Sequence, residues 1–450
     1  MIKFVPILIA VFLSLANFQI FSVDKPAAPD SIENKNPRNH LTQDSTHRSE
    51  VTAKVLSVSE ASSKNLTEEK ISTEPVAQDE IAGEKILRLT WDVVPNAVKY
   101  KISYENQIAI SYTHGVEITV QSVNSPVKVV ALDLSNNVVD NDVVILSAET
   151  NPVSPRTTSE FDKMSAPPIY IVYSWIPTKD ADHYEIQLFK DGEIIRDYET
   201  DYHPKDDNFD FYDKIPVLEE GEYFWRVRGI SASGEVLTDW SEKNPGNSFS
   251  VTKPMRFCAL GDSITHGGGS ISVPPSTVVY NWENYCAIPI KNLGKSGDTT
   301  DMMIDRFEED VLPFSPEILF IMAGVNDYRR DILGWDSVMN LAALKAKCES
   351  YGIKPVFITP TPLNPEQIRK VKFVEAPPYD WREHRKYICD WMRKQENCID
   401  ISDGLADSNG DLKINLSTDG LHPDAEGKQI IGRAVENWLN NYLGVAQSKI

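Results

Sequence analysis

"CALGDSITHGGGS", residues 258–270, passes from an apolar run into a turn of Gly, Asp and Ser. Glycine accepts unusual backbone angles, and Asp and Ser cap neighbouring amides, so such a stretch on its own is an ordinary tight bend. Whether Ser263 is instead a nucleophile held at a strand end depends on what surrounds it.

After Pro254 short apolar runs alternate with helical patterns: "RFCALGDS", "IPIKNLG", "EILFIMAG", "KPVFITP" and "CIDIS". Between them, Trp335, Val338, Met339, Leu341, Ala342 and Leu344 keep helical spacing, with Gly352 and Pro355 as stop signals. A last helix after Pro423 aligns Ile430, Ile431, Ala434, Val435, Trp438 and Leu439. Strands alternating with helices predict a parallel sheet covered on both faces, an α/β/α three-layer domain over residues 254–443.

In open parallel sheets ligands bind beyond the carboxyl ends of the strands. The residues at those ends are Gly261-Asp262-Ser263, the turn around Gly297, Gly324-Val325-Asn326-Asp327, and Asp419-Gly420-Leu421-His422-Pro423 before the last helix. Ester cleavage needs a nucleophile, a base, a group that orients the base, and donors for the oxyanion. Ser263 supplies the hydroxyl, His422 the base, and Asp419, three residues earlier, the acceptor that fixes the imidazole. The backbone N–H groups of Ser263 and Gly297 and the amide of Asn326 are the oxyanion donors.

These four blocks, in this order, resemble the SGNH (GDSL-type) hydrolase family. The resemblance implies a serine esterase or lipase of flavodoxin-like fold. It carries the nucleophile to Ser263, the oxyanion donors to Gly297 and Asn326, and the Asp-x-x-His pair to Asp419 and His422. No G-x-S-x-G is present, which disfavours the other common class of α/β hydrolase.

Around this set, Trp282, Tyr285, Tyr328 and Arg329 are candidate substrate contacts, the aromatics either as platforms for a sugar ring or as core residues. Arg330 is a further candidate, with a solvated surface role as the alternative for both arginines. His266 reads as positional in its turn and His384 as solvated in a charged helix. Asp262 and Asp298 read as loop-fixing hydrogen bonders. "DSNGDLKIN", from Asp407, departs from a calcium loop at its sixth place, which is Leu412 rather than glycine. The five cysteines, Cys258, Cys286, Cys348, Cys389 and Cys398, contain no C-x-x-C pair, so no metal or cofactor is expected. Cys258 and Cys348 read as core fillers, and pairing of Cys389 with Cys398 stays open.

Upstream, "WDVVPNAVKYKI" from Trp91 and "WIPTKDADHYEI" from Trp175 repeat Trp, Ala, Tyr and Ile at a constant offset (175 − 91 = 84). Short alternating runs such as "ILRLTW", "VEITV" and "YFWRVRGI" surround both copies and predict β-sandwiches over 85–150 and 151–253. The segment "GEYFWRVRGISASGEVLTDWS" resembles the closing hairpin of fibronectin type III domains, and the first copy is a more divergent relative. A chain starting near Val251 retains every catalytic block and is expected to hydrolyse small esters without the sandwiches.

The first 22 residues read as an export signal: Lys3, an apolar run from Phe4 to Phe21, and a small-residue cleavage site at Ser14-x-Ala16. An uncleaved membrane anchor is the rival reading; after cleavage no stable membrane span is expected. Residues 23–84 lack aromatics and are rich in polar residues and proline, which predicts a disordered spacer. The net charge of −21 excludes a phosphate-neutralising surface, hence nucleic acid as a partner.

These features together predict a secreted serine esterase removing short acyl groups, acetyl above all, from carbohydrate, with an acylated small molecule or polysaccharide as substrate. The alternatives are a lipid or lysophospholipid acylhydrolase and, in a different class, a non-catalytic extracellular binding or adhesion protein.

Overall fold

The structure is a computed structural model that describes residues 83–200, 210–269, 274–372 and 374–447. The export signal and nearly all of the spacer expected from the sequence lie outside the described residues. Residues 85–150 form seven strands in two antiparallel sheets, of three and four strands. Leu87, Leu89, Trp91, Tyr100, Ile102, Ile118 and Val129 fill the core between them. A second β unit follows. A four-stranded sheet holds His183–Lys190 and Gly221–Ile230 at its centre, and Val172–Ser174 pairs with Asp210–Tyr212.

The repeated sequence is a repeated structure. Trp91 meets Tyr100 at 5.1 Å between ring centroids, and Trp175 meets Tyr184 at 5.0 Å. In both copies the tyrosine hydroxyl accepts a main-chain N–H, from Val94 at 3.1 Å and from Thr178 at 2.8 Å. Those donors are also 84 apart (178 − 94 = 84). A buried phenol needs such a partner, which explains why the Trp–Tyr pair recurs with its turn.

Beyond Pro254 five parallel strands form one sheet: β1 (Phe257–Gly261), β2 (Lys291–Gly294), β3 (Ile318–Met322), β4 (Lys354–Ile358) and β5 (Cys398–Ile399), in the order β2-β1-β3-β4-β5. That is the flavodoxin-like order, with its switch point between β1 and β3. Around it lie α1 (Ser263–His266), α2 (Thr300–Asp305), α3 (Phe307–Asp310), α4 (Val325–Arg329), α5 (Gly334–Ser350), α6 (Pro365–Val371), α7 (Trp381–Met392), α8 (Ser402–Leu405) and α9 (Ala425–Gln447). Helix α5 packs on both α2 and α7, whereas α9 packs on α8 and β5, giving an α/β/α arrangement. Trp438 of α9 meets Phe320 of β3 edge-on at 5.8 Å. In α5 the buried stripe is Val338, Leu341, Leu344 and Cys348; Trp335 and Met339, which the spacing placed with it, are more than half exposed. All five cysteines are free thiols. No helix among the described residues is long and apolar enough to cross a membrane.

The change of rhythm at Pro254 marks a change of topology but not a break in packing. One hydrophobic core runs from Tyr173, Trp175, Tyr184 and Trp225 of the second β unit through the parallel sheet to α9. A strap ahead of Val172 ties the two further. Ile169 N donates to Asn292 O on β2 at 3.1 Å, and Lys291 Nζ reaches Pro167 O at 2.7 Å. Tyr170 Oη donates to Asp310 Oδ2 of α3 at 2.8 Å. The C-terminal region therefore does not pack alone: a chain starting near Val251 would lose part of this core and these bonds, which bears against the expectation that it folds by itself. The first sandwich keeps a separate core.

Candidate active site

β1 ends at Gly261, and the Asp262 carboxylate caps the turn that follows by accepting Ile264 N at 2.9 Å. Ser263 is the first residue of α1, where N–H groups have no intrahelical acceptor. Its Oγ lies 2.9 Å from His422 Nε2. On the other side of the ring, His422 Nδ1 lies 2.7 Å from Asp419 Oδ2. Asp419 Oδ1 accepts Leu421 N at 2.7 Å and His422 N at 2.8 Å, so the carboxylate is fixed from both ends. All three side chains are buried. Gly269 packs so closely on His422 that a Cβ there would stand 2.4 Å from Cε1.

The other two blocks join the first through their own bonds. Lys295 N donates to Gly261 O at 3.0 Å, which sets the β2 turn beside the end of β1. Gly297 adopts a φ of 92°, a left-handed conformation that side chains resist. Asn326 Nδ2 donates to Asp298 O at 2.9 Å, which leaves one amide hydrogen free of that bond, and its Oδ1 accepts Arg329 Nη2 at 3.2 Å. Asp327 accepts Thr300 N at 3.1 Å, tying the Asn326 turn to α2. The sequence-predicted Ser263, Gly297, Asn326, Asp419 and His422 thus converge at one edge of the sheet. Asp298 also pairs with Arg306 Nε at 2.5 Å, as a loop-fixing group does.

The aromatic candidates behave differently. Trp282 is buried beneath α9, where a Cβ on Gly432 would meet its carbonyl oxygen at 2.4 Å. Tyr328 is fully buried, tilted against Trp381 at 5.9 Å, and donates its hydroxyl to Thr361 O. Neither presents a ring face to a ligand, so both are corrected to core residues. Tyr285 is half-buried, with its hydroxyl on Val279 O at 2.9 Å. Arg329 stays beside Asn326, and Arg330 Nη2 stands 3.9 Å from where a Cβ of Gly297 would lie. His384 is not solvated: its Nδ1 accepts Gly334 N at 3.2 Å and its Nε2 lies 3.5 Å from Asp380 Oδ2.

Several supporting groups were not singled out from the sequence. Arg306 Nη2 donates to Gly261 O at 3.0 Å and Nη1 to Leu293 O at 2.7 Å, bracing β1 and β2. Lys428 of α9, fully buried, donates to Ile264 O at 2.6 Å and Gly267 O at 2.9 Å, holding α1 from behind. Its signal was present: Lys428, Ile431, Val435 and Leu439 fall on one helical stripe, so a lysine occupies the buried register. Burial pushes the Lys428 ammonium down to about 7. Burial likewise raises Asp262 to about 7 and Glu283 to about 8, and neither oxygen of Glu283 has a hydrogen-bond partner among the described residues.

Beside the Gly297 turn lies a cavity of about 570 Å³, lined by Lys295, Ser296, Asp298, Asp305, Arg306, Glu309 and Arg330, with Met302 the one large apolar side chain.

Residues 259–430 match the model of the GDSL-like lipase/acylhydrolase family. This region is thus a GDSL-like lipase/acylhydrolase domain. The protein is an ester-hydrolysing enzyme, and its substrates are acylated molecules. Among solved structures, the chain is similar to a lipase/acylhydrolase from Enterococcus faecalis, at 24% identity over 42% of this chain and 97% of that one, TM-score 0.35. It is also similar to a GDSL-like lipase from Bacteroides thetaiotaomicron, at 20% identity over 43% and 93%, TM-score 0.34. A third is an acetylxylan esterase from Geobacillus stearothermophilus, at 20% identity over 41% and 93%, TM-score 0.32. No curated protein matches the chain.

Proposed function

We propose that this enzyme is a serine esterase in which Ser263 is the nucleophile, His422 the general base and Asp419 its orienting partner. The observation that carries the reading is the hydrogen-bonded chain Ser263 Oγ–His422 Nε2 at 2.9 Å and His422 Nδ1–Asp419 Oδ2 at 2.7 Å. Ser263 Oγ attacks the ester carbonyl carbon as its proton passes to His422 Nε2. Asp419 holds the tautomer with Nδ1–H and stabilises the imidazolium that forms. The new oxyanion is met by the N–H groups of Ser263 and Gly297 and by Asn326 Nδ2. His422 returns the proton to the departing alcohol, leaving an acyl-serine. Water, deprotonated by the same imidazole, then releases the acid.

The substrate we propose is a short acyl ester, acetyl above all, carried on a carbohydrate. The sequence after Ser263, "THGGGSISVPPST" over residues 265–277, supports this, because it is mostly small and polar and a long acyl chain gains affinity only from an apolar lining. Export from the cell and a fibronectin type III-like identity for the two β units belong to the same proposal; the repeated Trp–Tyr pairs support the second. The test compares acetyl and long-chain esters of one alcohol, together with acetylated glycans and lysophospholipids. Acetate released from a glycan, with weak turnover of the long chains, is the expected result. Strong long-chain activity with no acetate from any glycan overturns the substrate class in favour of a lipid acylhydrolase.

A further inference from the structure

His266 is buried, outside the Ser263–His422–Asp419 chain, and bonded at both ring nitrogens. Its Nε2 lies 2.6 Å from the carbonyl oxygen of Tyr170, in the strap of the second β unit. Its Nδ1 lies 2.8 Å from Ser296 Oγ, one residue before Gly297. Ser296 Oγ also stands 3.0 Å from Gly268 O, next to the Gly269 that packs on His422.

Counting hydrogens decides how these groups are arranged. A carbonyl oxygen only accepts, so Nε2 carries the ring's hydrogen. Burial pushes His266 down to about 4, and Arg306, Lys428 and Lys295 act in the same direction, so the ring is neutral near pH 7. Nδ1 is then an acceptor, and the Ser296 hydroxyl supplies the hydrogen to it. That hydroxyl has only one hydrogen, so it cannot donate to Gly268 O at the same time. The Tyr170 carbonyl therefore selects the tautomer, and the tautomer selects the direction in which Ser296 points. His266 also closes α1, its N–H donating to Asp262 O at 2.9 Å, while Gly267 N donates to Ser263 O at 3.0 Å. One imidazole thus links the turn that bears Ser263, the turn that bears Gly297, and the strap.

We propose that His266 is a positioning residue: locked in its Nε2–H form by Tyr170 O, it holds Ser296 and sets the spacing between Ser263 Oγ and the Gly297 N–H. The inference rests on the assignment of Ser263 as nucleophile. It also gives the second β unit a part in the chemistry, since the group that locks the ring comes from its strap. Misplacing an oxyanion donor by a fraction of an ångström lowers the rate of the chemical step while ground-state binding is kept.

The test uses the full chain with 4-nitrophenyl acetate. His266→Ala is expected to lower kcat by about 10- to 100-fold with KM within about twofold of wild type, as a misplaced donor does. Ser296→Ala should lower kcat about 10-fold on the same ground, and the double variant should be no worse than His266→Ala, because both break one link. His266→Asn, which keeps a polar group at the Nδ1 position, should recover more kcat than His266→Gln, which keeps one at Nε2. The half-buried Ser296 variant decides the matter if His266→Ala fails to fold. Unchanged kcat in Ser296→Ala, or losses that multiply in the double variant, overturns the inference. Wild-type activity in Ser263→Ala would instead overturn the nucleophile assignment beneath it.

Discussion

Asp419 and His422, three residues apart, are bound twice over: Oδ2 of the aspartate to Nδ1 of the ring at 2.7 Å, and Oδ1 to the histidine's own N–H at 2.8 Å. A single carboxylate therefore fixes both the tautomer and the backbone of the residue that faces Ser263. Asp419→Asn keeps the shape but offers the ring an amide N–H, which favours the wrong tautomer. Steady-state kinetics on a short ester should show kcat lower by on the order of 10³–10⁴, with KM little changed. A loss below about tenfold would mean that Asp419 does not orient the base.

Asn326→Ala should lower kcat by about 10²–10³, the usual cost of one oxyanion donor. The bond from its amide to Asp298 O will also be lost, so a melting curve should accompany the kinetics. A fall in kcat without a matching fall in Tm identifies the oxyanion role. A fall in both of the same rank would point to the Asp298 turn.

Removing the first sandwich and removing both β units should have opposite outcomes. The first sandwich holds its own core, so a chain starting near Asn151 should remain soluble and melt cooperatively. A chain starting near Val251 loses Tyr173, Trp175 and Trp225 from a shared core, together with the Ile169–Asn292 and Tyr170–Asp310 bonds. It should aggregate or lack a cooperative transition. A soluble, active chain from Val251 would show the strap and the shared core to be dispensable.

The four candidate-site blocks could be read because each sits at the end of an apolar run, and in a parallel sheet those ends share an edge. The sandwich repeat was visible because a Trp–Tyr pair with its turn needs the same residues each time. The strap was not visible: Tyr170 and His266 are 96 positions apart, and their bond uses a main-chain carbonyl that any residue could supply. Trp282 and Tyr328 could not be assigned from sequence because an aromatic near a strand end looks the same whether its ring faces a cleft or the core. Lys428 could have been found, since its place in the stripe of Ile431 and Val435 is inconsistent with a solvated lysine.

Glu283 should make stability depend on pH. Burial raises its pKa from 4.5 to about 8, so the folded chain keeps the carboxyl protonated where the unfolded chain ionises it. A pKa raised on folding gives stability that is complete below the unfolded value and is lost as pH rises through the folded one. Glu283→Gln removes this titration. The two Tm curves should lie close together near pH 4 and separate toward pH 8, with the variant higher. Parallel curves across that window would show that Glu283 does not titrate there.

The central claim, that Ser263 is the nucleophile, is tested most directly by labelling with a fluorophosphonate and mapping the modified peptide by mass spectrometry. The account predicts one adduct per chain, on Ser263, formed in step with loss of esterase activity and absent from His422→Ala, which lacks the base. Full loss of activity with the adduct on another residue, or an unmodified Ser263 in the inactivated protein, would contradict it.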